Sequence, residues 1–437
     1  MLVALSGGAD SVCLLLALRA LGYTVEALHC NFELRGVASD GDEAFCRHLC
    51  RAQGVELHVR HFRTRSHAQR HGISVEMAAR QLRYDWFREM AVSRCAQAVC
   101  VAHHRDDNIE TMLLNLIRGT GIHGLTGMSV CSTLRVEGAE ADGGDCVVLR
   151  PLLSVARADI ETWLEAQGQT WVTDDTNLDP DAALRNKVRL QLLPLMEEMN
   201  PRVRETLAET ASRLSEAEAL YDEAISAIRR VVQQNDGSLS VEALKAATSS
   251  RTVLHELLHP RGFTHEQVQE IHDGMEGEPG RLWESREGWR LLRDRGRLLQ
   301  QKEDDTDTLR ADERVLPLEG LFELAGDIRL LIRRQAIDPS TFEIPRDRNT
   351  ACFDLEKLQL PLMLRRTREG DRFQPFGMDG TRLVSDLLTD LKLSLFDKER
   401  QLVVVSGERI VWVVGQRVAA GAEVDAQTRH VMTLTLL

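Results

Sequence analysis

Residues 1–21 read MLVALSGGADSVCLLLALRAL, and this stretch decides the fold. Leu2 to Leu5 is an apolar run of strand length, Ser6-Gly7-Gly8-Ala9-Asp10-Ser11 is a tight polar turn, and Val12 to Leu21 has the length and apolar density of a buried helix stopping at Gly22. A strand, a glycine loop and a helix in this order aim backbone N–H groups and a partly positive helix N-terminus at one spot. An anion is expected there, phosphate being the usual occupant. Ser6 and Ser11 add hydroxyl donors, and Asp10 is placed to hold a divalent cation against phosphate oxygens. The alternative is an ordinary βα turn capped by Asp10 and Ser11.

Outward from this unit the pattern repeats. Thr24 to Leu28 predicts a second strand, Asp42 to Gln53 a helix closed by Gly54, and Val55 to Val59 a third strand. Ser74 caps a long helix, Val75 to Arg94, and Ala98 to Ala102 is a fourth strand. Cys146 to Arg150 is a fifth, stopped by Pro151, and Ser154 caps a helix to Gln167. Strands and helices alternating at this spacing predict an α/β fold with a doubly wound parallel sheet, whose ligands lie at the carboxyl ends of the strands. His29-Cys30-Asn31 and His103-His104-Arg105-Asp106-Asp107 fall at such ends. Asp107 and Glu110 are three apart and share a helix face. Such a carboxylate pair can bind Mg²⁺, accept protons from an amine or grip an ammonium group; it is otherwise a solvated helix start. Arg80 and Arg83, with Glu76, are either phosphate clamps or the shield of a surface helix. Arg185-Asn186-Lys187-Val188-Arg189 is a compact basic stripe suited to phosphates.

At 437 residues, with 43% hydrophobic and 28% charged residues, the chain predicts two or three soluble domains. No apolar run reaches transmembrane length and the N-terminus lacks a signal-peptide pattern, which predicts a cytoplasmic protein with no membrane partner. Nine scattered cysteines without a C-x-x-C pair suit reduced thiols. The net charge of −13 opposes diffuse nucleic-acid binding, so any RNA surface is a local basic patch. Gly119-Thr120-Gly121-Ile122-His123-Gly124 follows a helical stretch where a dinucleotide loop must follow a strand, and it reads as a loop.

The full S-G-G-x-D-S string resembles the PP-loop of the ATP pyrophosphatase superfamily, which cleaves ATP between its α and β phosphates. The ordered set SGGADS, HCNFELR (His29 to Arg35), EMAARQLRY (Glu76 to Tyr84), AHHRDDNIET (Ala102 to Thr111), RPLL (Arg150 to Leu153), DDTN (Asp174 to Asn177) and RNKVR (Arg185 to Arg189) resembles the tRNA(Ile)-lysidine synthetase family. The resemblance implies ATP- and Mg²⁺-dependent ligation of L-lysine to C2 of the wobble cytidine in a CAU-anticodon isoleucine tRNA, through an adenylated cytidine. It implies Ser6, Gly7, Gly8, Ala9, Asp10, Ser11, His29 and His103 at the nucleotide and Asp10 and Asp107 at Mg²⁺. Asp107 and Glu110 would take the incoming lysine or its proton, Arg83 the reacting phosphate, and Arg185 and Arg189 the AMP or RNA. A homodimer is left open. Phe32 and Glu33 depart from the family's H-x-N-H-G-L-R, and the family's short segment before the first strand is absent. The alternatives are another PP-loop enzyme such as a tRNA thiolase, an amidotransferase-type synthetase, or a non-catalytic RNA-binding protein.

The expected division is 1–198 for the catalytic domain, 199–300 for a helical linker and tRNA-contacting middle domain, 301–359 for a connecting segment and 360–437 for a small α+β C-terminal tRNA-binding domain. Pro201 to Gln234 reads as a helix, and Trp289 to Gln300 and Arg409 to Gly415 as strands. Residues 363–437 hold 11 basic and 10 acidic side chains, and Arg365, Arg366, Arg368 and Arg372 are expected to grip RNA backbone. One competing signal stands apart: His255-Glu256-Leu257-Leu258-His259 with Gly262 and His265 matches the H-E-x-x-H-x-x-G-x-x-H of metzincin zinc proteases. The Thr264-His265-Glu266-Gln267 capping box and the apolar Leu254, Leu257 and Leu258 argue against it.

Overall fold

β1 (Leu2–Ala4) lies in mid-sheet and is buried on both faces. The period of two sends Leu2 into a cluster with Leu28, Phe62, Trp86, Phe87 and Val148, and Val3 into one with Val12, Leu15, Leu49, Ile160 and Leu164. That is why the first stretch is apolar throughout rather than alternating. A computed structural model describes residues 1–134, 146–173, 184–303, 313–324 and 328–437. They form two units, Met1–Asp222 and Glu223–Leu437.

In the first unit, β1 is followed by α1 (Ala9–Ala20), β2 (Glu26–Asn31), α2 (Val37–Gln53), β3 (Leu57–His61), α3 (Thr64–His71), α4 (Val75–Ser93), β4 (Val99–Cys100), α5 (Arg105–Arg118), α6 (Ile122–Leu125), β5 (Cys131–Leu134), β6 (Cys146–Leu149) and α7 (Arg157–Ala166). The sheet order is β3-β2-β1-β4-β6-β5, with parallel pairs throughout except β5 against β6. Ser74 caps α4 by accepting from the Met77 N–H. Gly119 ends α5 at φ 83°, so the glycine string after it follows a helix.

Two helix starts differ from expectation. α2 begins at Val37, five residues before Asp42. α7 begins at Arg157 and not after Ser154, because turns over residues 150–155 take the Leu153 and Val155 N–H groups. Its first-turn Arg157 N–H donates to Asp106 Oδ2 at 2.9 Å, a cap supplied by another helix. Beyond α7, Leu184–Lys187, a π-helical turn at Val188–Leu192 and Leu193–Met199 lead to the long helix Val203–Val232. Asp174 to Asn177 lie outside the described residues.

The second unit holds a four-stranded antiparallel sheet packed on helices Val241–Ala246, Ser250–Leu258 and His265–Gly274. The single strand expected at Trp289 to Gln300 is a hairpin, Trp289–Asp294 and Arg297–Lys302, turned at Arg295 and Gly296 with φ of 42° and 79°. The segment expected to be a connector supplies strands Arg314–Val315, Gly320–Leu324, Ile328–Ala336 and Thr350–Asp354. Three of them share a sheet with His430–Leu436, and Leu330, Ile332 and Phe353 share a core with Leu364, Val404 and Trp412.

Candidate active site

The loop between β1 and α1 is shaped by Gly7, whose φ is 96° and whose added Cβ would lie 3.4 Å from Cys46 Sγ and Val172 Cγ2. Ser11 Oγ accepts from the Ser6 and Gly7 N–H groups at 3.2 Å each and donates to the Gly8 carbonyl at 2.9 Å. Ser11 therefore braces the loop from within. Gly8 is the N-cap of α1, and no side chain caps that helix. The first-turn donors thus face the mouth of the loop, where an anion is stabilised.

Asp10, on that first turn, receives Arg157 Nη1 on Oδ2 at 2.5 Å. Its Oδ1 is buried without a hydrogen-bond partner, 3.7 Å from His104 Nε2. Burial pushes the Asp10 carboxyl above its usual range, and the charge of Arg157 offsets only part of that push. His104 is the N-cap of α5: its Nδ1 accepts from the Asp107 N–H at 3.4 Å, and Asp107 Oδ2 accepts from the His104 N–H at 3.3 Å. Accepting at Nδ1 puts the ring proton on Nε2, toward Asp10. Asp106 joins α7 to the long helix, taking the Arg157 N–H on Oδ2 and Arg204 Nη1 on Oδ1 at 2.8 Å.

Glu110 is fully buried and accepts three hydrogen bonds from guanidinium groups. Oε1 accepts from Arg189 Nε at 2.6 Å, and Oε2 from Arg185 Nε at 2.8 Å and Arg189 Nη2 at 3.0 Å. Arg185 also donates to the Asp107 carbonyl and Thr111 Oγ1, and Arg189 to Asp107 Oδ1 at 3.3 Å. The expected carboxylate face and basic stripe therefore meet each other. Both Glu110 oxygens are turned onto guanidinium groups, and Arg185 is turned onto α5.

Two cavities share Ser6, Asp10, His104, Arg157 and Arg189 as a common wall. The smaller, of about 440 Å³, is floored by Leu28, Cys30, Phe32 and Val101 and rimmed by Arg83, His103 and Asp107. Its apolar floor and polar rim suit a planar base. Arg83 lies 5.2 Å above the Phe32 ring, which stacks on Phe62 at 5.5 Å. His103 Nδ1 is buried without a partner, and burial pushes the ring pKa down to about 4. The larger cavity, of about 790 Å³, is lined by Gly8, Arg35, Asp42, Arg105, Asp106, Thr173 and Arg204. His29 lines neither: its Nδ1 bonds the Leu5 carbonyl at 2.9 Å, holding the end of β1 from behind the loop. Arg80 lies on Tyr84 and lines neither cavity. Arg157 and Arg204 were not signalled by the sequence, because each reaches the site from a helix more than 90 residues from its partner.

In the second unit, His255 stacks on His259 at 5.0 Å and lies 5.9 Å from His265. Thr264 caps the next helix in a capping box with Gln267, putting His265 in that helix's first turn. Among the described residues, ligand atoms near enough for a three-residue metal group occur at Glu26, Glu56 and His58, where Arg94 already pairs with both carboxylates. The arginine cluster of the C-terminal region is also engaged. Arg365 makes a two-pronged bond to Asp371 at 2.8 and 2.9 Å with both side chains 12% exposed, Arg366 donates to the Glu399 carbonyl, and Arg368 to Glu313. Arg365 and Arg366 thus brace the fold through these bonds.

Comparison with known proteins completes the picture. Residues 1–196 match the PP-loop domain family, residues 232–302 the TilS substrate binding domain and residues 362–434 the TilS substrate C-terminal domain. A protein of Bacteroides thetaiotaomicron named tRNA(Ile)-lysidine synthase is 42% identical, covering 99% of this chain and 94% of the relative. Relatives of the same name in Parabacteroides distasonis and Porphyromonas gingivalis are 43% and 38% identical, covering 100% and 95% of this chain and 95% and 89% of their own length. The H-E-x-x-H string falls inside the TilS substrate binding match, so neither a zinc protease nor a thiolase is favoured. With its PP-loop, its two substrate-domain matches and end-to-end relatives at about two residues in five, the chain belongs to the tRNA(Ile)-lysidine synthase family.

Proposed function

We propose that this chain, working in the cytoplasm, joins L-lysine to C2 of the wobble cytidine of a CAU-anticodon isoleucine tRNA, converting ATP to AMP and pyrophosphate. In the first step cytosine O2 bonds to the α-phosphorus and the bond to the bridging oxygen of pyrophosphate breaks. In the second the lysine amine bonds to C2, gives up a proton, and the C2–O bond breaks to release AMP. Neither step requires a protein nucleophile, so placement and charge do the work. Family membership supports the substrates. The observation that carries the site is the common wall of the two cavities, where the uncapped α1, Asp10 and Arg189 face the space between a base-sized pocket and a larger polar one.

On this reading the loop from Ser6 to Ser11 receives the β and γ phosphates, and the smaller cavity a base. Arg83, laid on Phe32, meets the reacting phosphate. His103, held neutral by burial, offers Nδ1 to an uncharged group. Glu110 fixes the guanidinium of Arg189, which borders both cavities, and so positions a cation instead of gripping the lysine itself. The buried, unpartnered Oδ1 of Asp10 fits a divalent cation, and Mg²⁺ bound there would neutralise charge on pyrophosphate. Asp107, expected as the second ligand, has its oxygens engaged by the His104 N–H and Arg189, and fits a bracing role better. Residues 1–198 would carry this chemistry, with 199–300 and 360–437 contacting the tRNA.

The test is pyrophosphate release by the purified protein given ATP, lysine and an isoleucine tRNA transcript with a CAU anticodon. Repeated turnover that requires all three, with lysine recovered in the tRNA, is expected, because the first step alone releases a single pyrophosphate per adenylated tRNA. Sustained release without lysine incorporation, or no release at all, overturns the reading.

A further inference from the structure

We propose that Arg157 is a mobile counter-cation of the phosphate site, paired with Asp10 while the site is free of nucleotide and transferred to pyrophosphate oxygens when Mg²⁺ and ATP bind. The inference rests on the phosphate-loop reading above and assigns a residue that the sequence motifs leave out. Three observations carry it. Arg157 Nη1 sits on Asp10 Oδ2 at 2.5 Å, on the carboxylate that a divalent cation would need, so guanidinium and metal compete for one group. Its side chain is 40% exposed and borders both cavities, so the far end has room to turn without unpacking a core. Its backbone is anchored by the N–H bond to Asp106, and Glu161 Oε1 at 2.8 Å from Nε is a second carboxylate partner, so the planar guanidinium can pivot off Asp10 while one ion pair is kept.

The direction of the exchange follows from charge. A divalent cation at Asp10 repels the guanidinium, and an incoming triphosphate supplies acceptor oxygens of higher charge within the same wall. Arg157 therefore screens a buried carboxylate in the free enzyme and a developing pyrophosphate in the loaded one. A purely structural arginine would contribute to neither binding event.

The experiment uses the full chain and two variants, Arg157→Met and Arg157→Lys, with titration calorimetry against Mn²⁺ alone and against pyrophosphate in saturating Mg²⁺. Because the Arg157 N–H, not its side chain, meets Asp106, the Met variant retains the start of α7. Removing the competing cation should tighten Mn²⁺ binding about tenfold, and loss of a charge-assisted contact should weaken pyrophosphate about tenfold. Lys should fall between the two in both titrations. Unchanged Mn²⁺ affinity, or a pyrophosphate affinity that survives in Met, overturns the proposal. Failure of the unsubstituted protein to bind pyrophosphate at all overturns the phosphate-loop reading together with it.

Discussion

Replacing Glu110 with Gln separates two roles for this carboxylate. The side chain is fully buried and accepts three charge-assisted hydrogen bonds, from Arg185 Nε, Arg189 Nε and Arg189 Nη2, all between 2.6 and 3.0 Å. Gln retains one acceptor oxygen, but its amide donors then confront a guanidinium, so at least one bond is lost and a donor faces a donor. Hydrogen bonds to charged groups are worth about 1.5–3 kcal/mol each, and breaking a buried pair costs about 3–5 kcal/mol. Arg185 and Arg189 are 40% and 31% exposed, so water recovers part of the loss. A destabilisation of about 2–4 kcal/mol is expected, measured by urea unfolding followed by circular dichroism. Lysine incorporation should fall through a lower kcat, since Arg189 loses its anchor, with little change in the KM for lysine. Unaltered stability with a raised KM for lysine would refute this reasoning and return Glu110 to direct contact with the amino acid.

Three further outcomes follow from the same geometry. Gly7→Ala forces an L side chain to φ 96° against Cys46 and Val172, so it should cost about 1–3 kcal/mol and weaken ATP binding in calorimetry; wild-type affinity and stability would show the loop to be pliant. His103, held down near pH 4 against about 6.5 in the unfolded chain, stabilises the fold fully above the unfolded value and progressively less as pH falls toward 4, because the unfolded chain binds the extra proton. Between pH 7 and 5 the wild type should therefore lose about 2 kcal/mol more than His103→Gln in urea unfolding, and parallel losses would reject the buried neutral ring. Arg372, exposed beside Thr381, is a cleaner probe of RNA contact than the engaged Arg365. Arg372→Ala should weaken tRNA binding by about 1 kcal/mol and lower the salt slope by about one; an unchanged salt series moves the RNA surface off this strand.

The strand, glycine loop and helix of residues 1–21, the Ser74 cap and the parallel α/β unit are legible in the sequence, because each depends on hydrogen bonds and apolar periods within a few residues. The types of residue at the strand ends are legible for the same reason, and so is the family they resemble. The partners of the charged residues are not. Asp107 and Glu110 read as a free acidic face until residues 75 to 82 positions later fold back and place Arg185 and Arg189 on them. Asp10 reads as a bare metal ligand, yet Arg157 reaches it across 147 residues, and Asp106 caps a helix 51 residues away. The segment that looked like a connector becomes sheet because Ile328–Ala336 and Thr350–Asp354 both pair with His430–Leu436, whose N–H and C=O groups they satisfy at a distance no local pattern records. Local chemistry thus determined the elements and the kinds of groups at the site, while long-range packing decided which charge neutralises which. Opposite charges brought out of water must find each other wherever the chain closes on itself.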